Sequence, residues 1–167
     1  MSTNPTQSIR VIINGRAGRY AVEPRTHLVD FLREAIGLKG AHLGCEHGVC
    51  GACTLRLDGQ IVRGCLVLAQ QADGHSVETV EGLSESGAIA DLQQAFLARN
   101  AMQCGFCSSG MLLTAAELLE KRPEASRDEV RLWISGNYCR CTGYHAIVDA
   151  ICDVLEARRV AAAGSPS

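Results

Sequence analysis

The chain has 167 residues, room for one ordinary domain or two small ones, and its 47% hydrophobic and 20% charged residues exclude a disordered chain. Sixteen Lys and Arg against eighteen Asp and Glu leave a formal net charge of −2, which excludes nucleic acid as the main partner. No apolar run approaches the roughly 18 residues of a membrane span, and the opening "MSTNPTQS" has neither the basic stretch nor the apolar run of a signal peptide, so a cytoplasmic protein without a membrane span is expected.

In chain order, "IRVIINGRAGRYAV" alternates apolar residues on both sides of Asn14-Gly15, a tight-hairpin signal. "RTHLVDFLREAIG" turns helical: Leu28, Phe31, Leu32 and Ala35 share a face, Thr26 is placed to cap the start and Gly37 to stop it. The loop "GCEHGVCGACT" follows. "CTLRLDGQIVRGC" is a second hairpin, turning at Asp58-Gly59 with Cys65 at its far end, and "HSVETVEGL" adds a last short strand. Hairpin, helix, loop and hairpin make a small α+β module over residues 8–82.

From residue 83 the texture is helical. "SGAIADLQQAFLARN" has the period, as does "SSGMLLTAAELLEKRP" through Met111, Leu112, Ala115, Leu118 and Leu119, closed by Pro123. "SRDEVRLWISG" opens with a capping box, Ser126 with Glu129, and "YHAIVDAICDVLEARR" is the last amphipathic helix. Four helices over 83–160 predict an all-α four-helix bundle, and 161–167 a disordered tail. Phe96 and Trp133 are expected in the core, Cys152 as a small core residue on the last helix, and His27, His42, His75 and His145 as ordinary surface or partly packed histidines.

The nine cysteines carry the chemistry. In a reducing compartment clustered thiols are metal ligands rather than disulfides. Cys45, Cys50, Cys53 and Cys65 open with the C-x4-C-x2-C spacing of a plant-type [2Fe–2S] loop. The eleven residues from Cys53 to Cys65 are just long enough for one hairpin, shorter than the ferredoxin connection. Gly44, Gly48 and Gly51 let backbone come close and aim N–H groups at sulfur, or simply form turns. Cys104, Cys107, Cys139 and Cys141 form a C-x2-C and a C-x-C pair at helix junctions, where unpaired N–H groups suit an anionic cluster, and Gly105 and Gly143 again leave room.

From spacing alone, tetrahedral zinc remains the rival for either set. Rieske ligation is not supported, because no C-x-x-H follows Cys45-Glu46-His47; C-x-x-C-H for haem, G-x-G for dinucleotides and a phosphate loop are all missing from the sequence.

Taken together, "GCEHGVCGACT", "QCGFCSSGM" and "GNYCRCTGYHAIVDAI" resemble the small iron–sulfur subunit of the molybdenum hydroxylases, the xanthine oxidase family, over about residues 8–157. All eight clustered cysteines fall at that family's ligand positions. The resemblance implies a β-grasp ferredoxin-like domain with an outer [2Fe–2S] cluster on Cys45, Cys50, Cys53 and Cys65. It also implies a helical domain with an inner cluster on Cys104, Cys107, Cys139 and Cys141. It implies partners as well: a large subunit with a molybdopterin-type molybdenum cofactor and the substrate pocket, and a medium FAD subunit or other acceptor, as a heterotrimer or its dimer. In that family the large subunit hydroxylates a C–H carbon with oxygen from water, and the electrons leave singly through the clusters.

Gln103 matches the glutamine that hydrogen-bonds the pterin, and Cys141 the ligand whose sulfur lies near the pterin amino group. The small subunit itself supplies no catalytic residue. "CEHGVCGAC" resembles hydroxylases of aromatic N-heterocycles, with aldehyde, purine and carbon monoxide dehydrogenases as the alternatives. A free two-cluster shuttle is the other functional class, but such carriers dock through strong acidic fields, which a net charge of −2 does not supply. One departure is Ser108-Ser109, where the family commonly has Thr-Pro; serine there is still able to cap a helix.

Overall fold

A computed structural model describes residues 5–164. Strands β1 (Gln7–Ile13) and β2 (Arg16–Val22) pair antiparallel from Gln7↔Val22 to Ile13↔Arg16. Asn14 and Gly15 both take positive φ (48° and 78°), the type I′ geometry that matches strand twist. Alternation puts Ile9, Val11 and Ile13 inward.

Helix α1 (Leu28–Asp30) runs on as wider π-helical turns over Phe31–Ile36, burying Leu28, Val29, Phe31 and Leu32. Gly37, at φ 85°, stops it by donating its N–H to the Leu32 carbonyl. Thr26 does not cap this helix. His27 holds the cap position without a side-chain bond, while the Thr26 carbonyl accepts from the Ala69 N–H at 2.8 Å. The backbone here is committed to a neighbouring segment before the helix begins.

Strands β3 (Thr54–Leu57) and β4 (Gln60–Arg63) turn at Asp58-Gly59, again with two positive φ values (48° and 76°). With β5 (Ser76–Glu78) they complete a five-stranded sheet of order β2-β1-β5-β3-β4, in which only β1 and β5 run parallel. A sheet of this order needs its connecting helix on one face, and α1 and its continuation pack there over Ile9, Val11, Leu55 and Val77.

The second half holds α2 (Val80–Glu85), α3 (Ala90–Ala98), α4 (Ser108–Lys121), α5 (Arg127–Trp133) and α6 (His145–Ala163). Their apolar faces meet in one cluster containing Phe96, Met111, Leu113, Leu118, Val130 and Ile151. Helix α4 is buried on nearly every face, because it packs on β3 and β4 as well as on α2, α3 and α5. The capping box at α5 is present, Ser126 with Glu129. Phe96 is fully buried, whereas Trp133 and Cys152 are only partly so. The chain from residue 161, expected disordered, is still helical through Ala163, because α6 continues past the Arg158–Arg159 pair that ties it to Asp91 and to the Pro123 and Ala125 carbonyls. Residues 165–167 lie outside the described residues. Leu83, close to the expected boundary, packs with the helices.

Sheet and helices meet at a seam built by small residues. A Cβ on Gly110, in the first turns of α4, would run into the Gly51 carbonyl oxygen, and one on Gly51 would lie 2.6 Å from the Gly136 carbonyl oxygen. Gly51 also has φ 77°, a region costly for any other residue. Asn137, 1% exposed, fills the seam: its amide donates to the Gly51 carbonyl (3.2 Å) and Thr54 Oγ1 (3.3 Å), and its oxygen accepts from Thr114 Oγ1 (3.0 Å). Arg63 donates to the Gly136 carbonyl at 2.8 Å, and buried Arg56 reaches across to Glu120 at 2.8 Å.

Replacing Gly110 with alanine forces backbone apart at this seam. It is expected to destabilise the chain by about 2 kcal/mol or more, the usual cost of overpacking, seen as a lower midpoint in thermal unfolding. A variant that melts with the parent would show that the seam yields freely.

Candidate metal centres

The first quartet is built on the loop between α1 and β3, with Cys65 brought to it by the turn after β4. Cys45 Sγ accepts from the N–H groups of Val49 and Cys50, both at 3.3 Å. The Cys50 N–H, followed by that of His47, pulls the Cys45 thiol down to about 6. Cys45 pairs side chain to side chain with Cys50, and Cys53 with Cys65. The first pair is partly exposed and the second buried. Burial, then the neighbouring Cys65, pushes the Cys53 thiol up to about 11.

The expected glycines shape this loop, but the sulfur-directed N–H groups at Cys45 belong to other residues. A Cβ on Gly44 would lie 3.1 Å from Cys50 Sγ, and one on Gly48 would meet the Leu66 side chain. A Cβ on Gly51 would meet the seam.

The second quartet gathers two loops. Cys107 stands at the N-cap position of α4, so the expectation that Ser108 or Ser109 caps that helix is not met; the Ser109 hydroxyl is buried without a hydrogen-bond partner. Cys139 and Cys141 lie between α5 and α6. Cys104 and Cys141 are exposed with their sulfurs 3.6 Å apart, and Cys107 and Cys139 form a partly buried pair. Burial, then Cys139, pushes the Cys107 thiol up to about 12. Burial acts to raise the Cys139 thiol too, but the hydroxyl and N–H of Thr142 outweigh it and the net direction is down. Those two groups donate to Cys139 Sγ at 3.1 and 3.4 Å. Tyr144, at φ 69°, accepts the Cys139 N–H on its phenol oxygen at 2.8 Å. Gln103 donates its amide to the Cys141 carbonyl at 3.2 Å. Gly105, at φ 81°, has open space where a Cβ would be.

Each quartet is thus two pairs of thiols. Among the described residues no three His, Cys, Asp or Glu side chains are placed to share one metal ion. Pairs suit two irons with two thiolates each. The N–H and O–H donors on sulfur suit an anionic cluster for the same reason. The two quartets are also joined directly: the Tyr138 N–H, next to Cys139, donates to the Cys50 carbonyl at 2.8 Å.

Several features were not expected from sequence. Val49, Leu66, Met102, Phe106 and Tyr138 are all exposed, and each lies beside or two residues from a clustered cysteine. Phe106 stacks on His42 with centroids 4.6 Å apart, tying one cysteine loop to the other. The sequence signal was there, since apolar residues flanking loop cysteines have no helix or strand period to bury them. Thr142 and Asn137 carry no such signal, because their partners are distant or depend on the turn.

Residues 11–83 match the family described as a 2Fe-2S iron-sulfur cluster binding domain, and residues 79–152 the [2Fe-2S] binding domain. The chain is 53% identical over 155 residues to the nicotine 6-hydroxylase small subunit of Paenarthrobacter nicotinovorans, covering 90% of this chain and 93% of that one. It is 49% identical over 156 residues to caffeine dehydrogenase subunit gamma of Pseudomonas sp. strain CBB1, covering 92% and 93%. Quinoline 2-oxidoreductase from Pseudomonas putida 86 contains a chain of the same fold, with TM-score 0.87 and 54% identity, covering 93% of this chain and 97% of that one.

The thiol environments are open to a chemical test. After iron is removed under reducing conditions, a brief pulse of iodoacetamide at about pH 7.5 is expected to label Cys45 at least about a hundredfold faster than Cys53 or Cys107, because only the thiolate reacts. Peptide mass spectrometry reads the order, and equal labelling would contradict it.

Proposed function

The chain belongs to the small iron–sulfur subunits of the molybdenum hydroxylase family, and we propose that it relays electrons singly from a molybdopterin-type molybdenum centre on a large partner to FAD on a medium partner, or to another acceptor. The paired thiol quartets joined by the Tyr138–Cys50 hydrogen bond are the observation that carries this reading. Residues 8–82 are read as the ferredoxin-like domain. Residues 83–160 are read as a domain whose four longer helices form a bundle.

In this reading Cys45 and Cys50 would hold one iron of the outer cluster and Cys53 and Cys65 the other. Cys104 and Cys141 would hold one iron of the inner cluster, and Cys107 and Cys139 the other. When bound, each cluster supplies a site that takes up and gives back one electron. The chain's own part is positional and electrostatic. The Val49 and Cys50 N–H groups at Cys45, and the Thr142 donors at Cys139, stabilise the more negative reduced state. The exposed Cys104 and Cys141 pair presents the inner mouth, and the Gln103 amide braces the Cys141 carbonyl while offering a second N–H and an oxygen to a pterin edge.

The exposed apolar residues around both mouths support obligate docking, expected to bury more than about 2,000 Å² in a heterotrimer or its dimer. No described helix is long and apolar enough to cross a membrane, and nine free cysteines fit a reducing, cytoplasmic setting. Nicotine, caffeine and quinoline, named for the relatives, are all N-heterocycles, which favours hydroxylation of a ring carbon in such a substrate.

In the purified complex, replacing Cys53 with serine should lower iron from about four to about two per copy of this chain. It should remove one reduced-cluster paramagnetic signal and leave the other reducible by substrate. Loss of substrate reduction at the remaining centre would reverse the proposed order. Gln103→Ala should keep iron intact and lower turnover about tenfold or more through loosened cofactor contact; unchanged turnover would make that side chain dispensable.

A further inference from the structure

Thr142 stands out among the groups around the cysteines because it offers sulfur a side-chain donor where the bonds at Cys45 come from backbone. Its Oγ1 lies 3.1 Å from Cys139 Sγ. The same oxygen accepts the Tyr144 N–H at 3.2 Å. An oxygen receiving that hydrogen has its own proton free to point elsewhere, and Cys139 Sγ is the acceptor within reach. The placement is held from both ends. The Thr142 N–H also donates to Sγ, and the Cys139 N–H returns to the Tyr144 phenol oxygen, so residues 139–144 close on themselves. At Cys45, by contrast, the donors from outside the thiols are backbone N–H groups, those of Val49 and Cys50 at 3.3 Å and that of His47.

We infer that Thr142 is a potential-setting residue of the inner cluster: its hydroxyl, by donating to Cys139 Sγ, makes that cluster easier to reduce than its cysteines and backbone alone would. Reduction adds negative charge to the cluster sulfurs, so an O–H donor is worth more to the reduced state than to the oxidised one. Removing it lowers the potential, and removing it without changing side-chain shape isolates the effect. The inference rests on the proposed assignment of Cys104, Cys107, Cys139 and Cys141 to one cluster.

The test is a redox titration of the purified complex followed by electron paramagnetic resonance, comparing the parent with Thr142→Val, Thr142→Ala and Thr142→Ser. Valine keeps the branched shape without the hydroxyl. It should shift the reduced-to-oxidised ratio of the inner centre about tenfold towards oxidised at fixed potential, about 59 mV downward for a one-electron couple. Alanine should do the same, and serine should restore most of the parent value, with the outer centre unmoved in all three. Parent potentials in the valine or alanine protein would overturn the inference. So would a serine protein shifted as far as valine, because the methyl would then be responsible. Loss of the inner signal in both hydroxyl-free proteins also counts against it, since the hydroxyl would then build the site rather than tune it. A parent complex without two distinct reduced-cluster signals would instead defeat the cluster assignment on which the inference stands.

Discussion

The seam between sheet and helices rests on backbone approaching backbone where no side chain fits. Gly51 and Gly110 touch because neither has a Cβ, and the Gly51 carbonyl at this contact is satisfied by the Thr54 N–H (3.2 Å) and hydroxyl (2.6 Å) together with the Asn137 amide (3.2 Å). An amide there is required chemically: it supplies two donors to Gly51 and Thr54 and an acceptor to Thr114, all away from water. A buried carbonyl left unpaired costs on the order of 1–3 kcal/mol. The seam therefore sets not only stability but the position of Cys50, one residue from Gly51, against Cys139, two residues from Asn137. The hydrogen bond from Tyr138 to Cys50 is its by-product.

Burial grades the thiols along the molecule. Cys53 and Cys65 are buried, Cys45, Cys50, Cys107 and Cys139 half-buried, and Cys104 and Cys141 exposed. Water and protein donors stabilise added charge at exposed sulfur, whereas apolar surroundings oppose it. On the proposed reading the partner would cover the exposed pair, and the donors that the chain points at each sulfur would then do most to set the potentials.

Local chemistry was legible in the sequence wherever one short segment decided it. Asn14-Gly15 and Asp58-Gly59 specify type I′ turns because both positions need positive φ, and both hairpins formed there. Ser126 and Glu129 formed their capping box. The cysteine sets were visible because thiols at such spacings have few other uses, although spacing alone left zinc open. What sequence did not disclose depends on residues far apart. Thr26 looked like a cap until its carbonyl was engaged by Ala69. Gly51 looked like a cluster glycine, but its demanding neighbours are Gly110, Gly136 and Asn137. The Cys104–Cys141 pair follows from how loops 37 residues apart fold back on one another, whereas the Thr142 hydroxyl at Cys139, three residues away, depends on the turn that the loop takes.

Cys104 and Cys141 lie open on the separate subunit, at the surface where a partner would be seated. Once covered, those sulfurs are beyond the reach of any scaffold that delivers iron and sulfide. On the proposed reading biogenesis would then have a direction, with the polypeptide metallated first and joined to its partner afterwards.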